Sequence, residues 1–227
     1  MTGAAVESGV DPAKGAALPR GAVPEVTVAS LDVRQQKWLE NAHLALERGQ
    51  IDYVLDVCGS ILKTAPGCLA VRRLQRRAQL HRFQNGNRLR RLIAGALTGR
   101  FARRTSSDAA ESFARAEELL ARNPTSVSAL RLLADAAGRL GLPETAAFAL
   151  GAIGELEPEN RVNMLALGEA WLVAGQPAKA LRVAELLLAA WPADPAGLGL
   201  QRKASVAQTI AQGKWESAAS FREKIRP

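Results

Sequence analysis

VSALRLLADAAGRLGLPETAAFALGAIGELEP, residues 127–158, and RVNMLALGEAWLVAGQPAKALRVAELLLAAWP, residues 161–192, carry one pattern twice. They superimpose at a spacing of 34 residues, the interval that also separates Pro124, Pro158 and Pro192. A fixed period of that length marks stacked helix–turn–helix units. Numbering each unit so that its closing proline is position 32 aligns the rest. Leu133, Ala134, Ala137, Gly141, Ala146, Leu150 and Ile153 fall at positions 7, 8, 11, 15, 20, 24 and 27. In the next unit Leu167, Gly168, Trp171, Gly175, Ala180, Ala184 and Leu187 occupy the same places. Small residues at positions 8 and 20 let paired helices approach closely. Gly at position 15 turns the chain between them, and Pro at position 32 stops the second helix.

Moving outward, a weaker unit closes at Pro66. It places Trp38, Ala42, Gly49 and Ile61 at positions 4, 8, 15 and 27. It departs from the pattern at Asn41, Ala45 and Val54. Asp32 or Ser30 is placed to cap its first helix. Pro66 and Pro124 stand 58 residues apart, one unit and a surplus of 24. Cys68 to Phe83 supplies a first helix, with Leu74 and Ala78 as its apolar marks. Asp108 to Arg122 supplies a second, marked by Ser112, Ala116 and Leu119. The surplus, residues 85–107, has Leu89, Leu92, Ile93, Ala96, Leu97 and Phe101 at steps of three and four, the spacing of one helical face. It predicts an extra basic amphipathic helix inserted between the two. After Pro195, Leu198 to Ile225 reads as one or two helices broken near Gly213, with Trp215 and Phe221 as anchors of a cap.

The pattern resembles the tetratricopeptide repeat, whose units ask for Leu, a small residue, an aromatic, Gly, Ala, an aromatic, Ala and Pro at those positions. The resemblance spans about residues 35–84 and 108–192. It implies an all-α, right-handed α-solenoid of about four helix–turn–helix repeats carrying the insert. The division expected is a flexible leader at 1–30, a solenoid at 31–197 with the insert at 85–107, and capping helices at 198–227. Solenoids of this family hold other proteins, so the resemblance implies an interaction scaffold.

Composition agrees with helices. Hydrophobic residues make up 48% of the 227 residues but aromatics only 4%, with a single Tyr, so packing rests on Ala and Leu. No apolar run approaches the roughly 18 residues that a membrane helix needs. Met1 to Ser30 shows no secretory signal, and a cytoplasmic location is the expectation. Cys58 and Cys68 lack metal-ligand spacing; two reduced, buried thiols and a disulfide both remain open.

The formal charge of +8 is concentrated. Residues 69–107 hold eleven arginines, no lysine and no acid, while the flanking segments are each nearly neutral. Arg72, Arg73, Arg76 and Arg77 form two like-charged i,i+4 pairs, which cost a few tenths of a kcal/mol each unless an acid answers them. One reading makes these arginines a solvated face, or pairs them with acids elsewhere such as Glu117 and Glu118. Against it stands the exclusive use of Arg, whose planar fork suits carboxylate and phosphate. The repeat register places Arg72, Arg73 and Arg76 on a partner-facing groove that continues to Arg131, Asp135, Arg139 and Glu169. The candidate binding residues are therefore Arg72, Arg73, Arg76, Arg77, Arg88, Arg90, Arg91, Arg131 and Arg139, and the expected partner is an acidic protein or peptide. Nucleic acid and an anionic membrane surface are alternatives. Aromatics for stacking bases are sparse in the cluster, limited to Phe83 and Phe101, and the insert lacks Trp. The family's carboxylate clamp uses Lys and Asn, which are missing at those places here.

No catalytic constellation is legible. His43 and His81 stand on different units with no ligand partners, reading as helix-surface residues, and no phosphate loop or nucleophile motif occurs. The expectation is a non-enzyme that uses no cofactor and no metal.

Overall fold

The computed structural model describes residues 25–86 and 107–224, without the side chains of 214–224. Among the described residues nine α-helices follow a 3-10 turn at Val28–Ser30. They are α1 (Val33–Glu47), α2 (Ile51–Thr64), α3 (Leu69–Asn85), α4 (Ala109–Arg122), α5 (Val127–Arg139), α6 (Pro143–Leu156), α7 (Arg161–Val173), α8 (Pro177–Ala190) and α9 (Pro195–Lys224). Neighbouring helices pack in sequence order, an arrangement compatible with a helical repeat solenoid. The inserted amphipathic helix expected at residues 85–107, with Arg88, Arg90 and Arg91, falls outside the described residues apart from its flanks.

Two local devices repeat and explain why the 34-residue period gives paired helices. Inside a pair, the first helix ends at a glycine with positive φ: Gly49 at 73°, Gly141 at 77° and Gly175 at 66°. The next N–H then folds back onto a carbonyl five residues earlier. Gln50 donates to Ala45, Leu142 to Ala137 and Gln176 to Trp171, each at 2.9 Å. This satisfies carbonyls the helix end would orphan, and only glycine enters that backbone region at no steric cost. Between pairs, Pro66, Pro124, Pro158 and Pro192 each occupy the second place of a turn. Cys68, Ser126, Asn160 and Asp194 donate their N–H groups across these turns at 3.0, 3.2, 3.1 and 3.1 Å. Proline presets the φ that this position requires. Three of the four donors then cap the following helix. Ser126 Oγ accepts from the Ala129 N–H at 3.3 Å, Asn160 Oδ1 from Asn163 at 2.9 Å, and Asp194 Oδ1 from Gly197 at 2.8 Å.

The third cap is the strongest, because the Arg161 Nε also donates to Asp194 Oδ2. That hydrogen bond, with the Gly197 N–H, holds the Asp194 carboxyl down to about 2 from an ordinary 3.8. A depressed carboxyl contributes stability that is full above the unfolded-chain value and disappears as pH falls through the folded value. Between about pH 4 and pH 2 the native protein should therefore lose stability more steeply than Asp194→Asn, which keeps a capping oxygen but no titration there. Urea unfolding at several pH values checks this; parallel pH curves for the two proteins would contradict it.

Burial follows the register. Val54, Ser112, Ala146 and Ala180 at position 20 are buried, as are Ile61, Leu119, Ile153 and Leu187 at position 27. Most buried apolar residues of α1–α6 form two separate clusters, to which Ala180, Ala184, Leu187, Leu200 and Ala204 of α8 and α9 do not belong. One joins α1, α2 and the start of α3 through Leu39, Ala42, Val54, Cys58, Ile61 and Leu74. The other joins α4, α5 and α6 through Phe113, Leu119, Leu130, Leu133, Leu142 and Ile153. Cys58 and Cys68 are free and buried. Burial pushes the Cys58 thiol up to about 12, so it stays protonated and unreactive.

Of the leader, residues 25–30 are described, and Val26 and Val28 pack against the first cluster while Thr27, Ala29 and Ser30 are exposed. Val26 bridges to Cys68 and donates to the Gly67 carbonyl at 3.2 Å. Glu25 Oε1 accepts from the Thr145 N–H at 2.9 Å, capping α6 from 120 residues away. Leu142, the residue at the N-cap of α6, supplies no side-chain cap of its own. At the other end, α9 runs 30 residues straight through Gly213, where a break was expected. At 1.5 Å per residue it spans about 45 Å, roughly twice the length of α8.

Candidate partner-binding cleft

α3 departs from the sequential packing. Its backbone lies on α2, touches α1 and α6 more lightly, and hardly meets that of α4, the helix beyond the insert. Its apolar residues Val71, Leu74 and Ala78 are used up by the first cluster. What connects it to the second cluster is the inner of its two arginine stripes.

Arg72 and Arg76 are 3% and 8% exposed. Arg72 Nη1 donates to Glu117 Oε1 at 2.6 Å and its Nη2 to the Pro66 carbonyl at 2.7 Å. Its guanidinium also lies 4.9 Å from the centroid of the Phe113 ring. Arg76 Nη1 donates to the Pro124 carbonyl at 2.8 Å. Burial lowers the Arg76 pKa, opposed by the Glu155 carboxylate nearby. Long arginine stems thus bridge two layers whose backbones stand apart, burying methylenes along the way. Here the structure departs from the sequence register, which turned Arg72 and Arg76 toward a partner. Arg72 is an internal strut, and Arg76 is a strut with one edge on the cleft described next. The acid anticipated for the cluster is Glu117; Glu118 pairs instead with Arg122 at 2.5 Å on its own helix.

The outer stripe, Arg73 and Arg77, is exposed and has no ion pair to a described residue. It borders a cleft of about 400 Å³ between α3, α6 and α7. Arg73, Arg76, Arg77 and Leu80 form one wall. Phe148, Gly151 and Glu155 of α6 face them, and Leu167 and Trp171 of α7 close the far side. Phe148, Leu167 and Trp171 are half-buried, so apolar surface is left open inside a positively charged rim. Lys179 Nζ sits 4.3 Å from the centroid of the Trp171 ring, which fixes the indole on its outer side.

The remaining candidates are elsewhere. Arg131 and Arg139 are exposed on α5, and neither lines this cleft. Arg139 is held by Asp135 at 3.5 Å and by the Ser107 carbonyl. Arg82 bridges to Asp52 at 3.4 Å and to the Ala121 carbonyl at 3.5 Å. His43 and His81 are exposed, and Asn85 is the polar neighbour of His81. Among the described residues no group of three or more potential metal ligands comes together. No described helix is long and apolar enough to cross a membrane.

Sequence reasoning missed Phe148, Gly151 and Glu155 as cleft residues. Phe148 lies between the repeat's marked positions, and nothing in the 34-residue pattern distinguishes it. Trp171 was legible as a position-11 aromatic but reads there as core. No protein-family model, curated protein or solved structure matches the chain.

Proposed function

We propose that this chain is a non-catalytic interaction scaffold, a right-handed solenoid of the tetratricopeptide type that holds an acidic protein within a larger assembly. One observation carries the reading: Arg73 and Arg77 stand exposed, one helical turn apart, on an apolar cleft, while their neighbours Arg72 and Arg76 are spent on holding the layers together. Exposed guanidinium forks offer paired donors that carboxylates fit. Shape and apolar contact supply affinity, and the charges supply orientation and association rate. The repeated Pro turns and Gly hinges support the solenoid by making each unit a copy of the last. The expected cellular location is the cytoplasm.

The variant Arg73→Glu with Arg77→Glu should weaken capture of the acidic partner at least tenfold, about 1.4 kcal/mol, in a pull-down read by mass spectrometry. Its melting should match the parent, because both side chains are exposed. Unchanged capture would refute the groove reading. A gel shift with random RNA and DNA at about 50 and 200 mM salt tests phosphate as the target, since steep salt-sensitive retardation is its signature. Flotation with anionic liposomes tests the membrane surface.

A further inference from the structure

We infer that the α3–α6–α7 cleft recognises a short segment combining spaced carboxylates with one large apolar side chain, and that Glu155 selects against bare polyanions. The inference rests on the scaffold reading and specifies its ligand. Arg73 and Arg77 rise about 6 Å apart along α3. Carboxylates at i and i+4 of a helix, or i and i+2 of an extended strand, have nearly that separation. A ligand of either form can therefore engage both forks at once. Opposite them, Phe148, Leu167 and Trp171 present open apolar surface in a cleft of about 400 Å³, room for one large side chain and part of the chain bearing it. An anchor seated there loses water where it meets these walls, and aromatic and aliphatic anchors in such pockets carry much of an interface's affinity.

Glu155 supplies the discrimination. It lies on the α6 wall and lines the cleft with the arginines, near enough to bias Arg76 electrically, yet it makes no ion pair with a described residue. A phosphate chain entering the cleft meets this carboxylate and has nothing to place on the apolar surface. A peptide can turn an amide, hydroxyl or basic residue toward Glu155 while its acids face α3. Like charge brought close in this way is a device for excluding the wrong partner.

The test is fluorescence anisotropy on the full chain with labelled peptides of about twelve residues, rich in Glu, whose central residue is Ala, Leu, Phe or Trp. A labelled single-stranded oligonucleotide of equal charge is the competing probe. The expected result is at least about tenfold tighter binding for a Phe or Trp centre than for Ala. The oligonucleotide should bind more weakly than the Phe peptide, and Glu155→Gln should tighten it several-fold. Gly151→Gln provides a plug, because Gly151 lines the cleft and a Cβ there meets nothing within 4 Å; an unchanged melting temperature checks that the fold is kept. It should abolish peptide binding while leaving α6 at least as stable, since glycine is the poorer helix former. Indifference to the central residue, or peptide binding that survives the plug, overturns the inference. So does an oligonucleotide that binds as tightly as the peptide, or one that Glu155→Gln does not affect. If capture of the acidic partner needs Arg73 and Arg77 but ignores both Gly151→Gln and Trp171→Ala, the scaffold reading stands and this inference alone fails.

Discussion

An Arg72→Ala variant is expected to lose about 3–5 kcal/mol of stability, a large share of what a domain possesses. Three things disappear together. The Glu117 carboxylate, whose side chain is 35% exposed, loses its partner. The Pro66 carbonyl loses its donor, and the Phe113 ring loses the cation above it. A donor or acceptor left unmet inside a fold costs about 1–3 kcal/mol by itself. Glu117→Gln should cost only about 1 kcal/mol, because an amide oxygen still accepts and a third of the side chain already meets water. The asymmetry between the two variants measures how far Arg72 is a strut and how far it is an ion pair. A second consequence follows from the separation of the two apolar clusters. With Arg72 gone, α1–α3 and α4–α6 are joined mainly by Arg76 and the lighter α3–α6 contact, and repeat layers weakly coupled to one another unfold in steps. Urea unfolding of the variant should give a transition at Trp38 on α1 that precedes the loss of total helix by circular dichroism. A loss below about 1 kcal/mol, with coincident transitions, would remove the strut from the account.

Much of this fold could be read from the residues, for reasons the structure makes specific. Helix pairs are dictated by Gly141, Gly175 and Gly49 with their positive φ, and by prolines that turn the chain between units. Those are local devices, set by a few consecutive residues, and a linear pattern records them well. The small residues at positions 8 and 20 mark close approaches, which the period also records. The arginines are different. Arg72 and Arg73 are chemically the same and adjacent, so periodicity cannot say which turns inward. The answer depends on the nearby Pro66 carbonyl and on Glu117, Phe113 and Pro124, and these last three reach Arg72 and Arg76 only once α4 has folded back beyond the insert. The cap that Glu25 gives to α6 was invisible for the same reason, being a contact across 120 residues. Charge density located the region of interest; only the packing divided it into strut and open face.

Gly168→Val should cost about 3 kcal/mol, and the cost should appear at the far end of the chain. A Cβ on Gly168 would come 2.2 Å from Leu200 Cδ2 and 3.2 Å from its Cγ, closer than atoms tolerate. Leu200 is 1% exposed, so its side chain has no solvent-side space to swing into. α9 would have to lift from α7. α9 is held as closely on α8, because a Cβ on Gly197 of α9 would meet Leu187 Cδ2 at 2.3 Å and Leu188 Cδ2 at 3.0 Å. Neither glycine has a positive φ, so each serves close approach and not backbone freedom. Gly168→Ala sets two effects against each other: the same clash, less a helix-propensity gain of up to about 1 kcal/mol. Its net loss should be about 1 kcal/mol or smaller, well short of the valine variant. Gly138→Ala is the matched control, since its added Cβ would meet nothing within 4 Å; it should gain up to about 1 kcal/mol. Hydrogen exchange locates the effect. Amides of α9 around Leu200 and Ala204 should lose protection in Gly168→Val, while those of α5 and α6, whose core lies in a different cluster, should keep it. If α9 stays protected, or if protection falls evenly along the chain, then α7 and α9 are not held by this contact and the last layer packs by some other means.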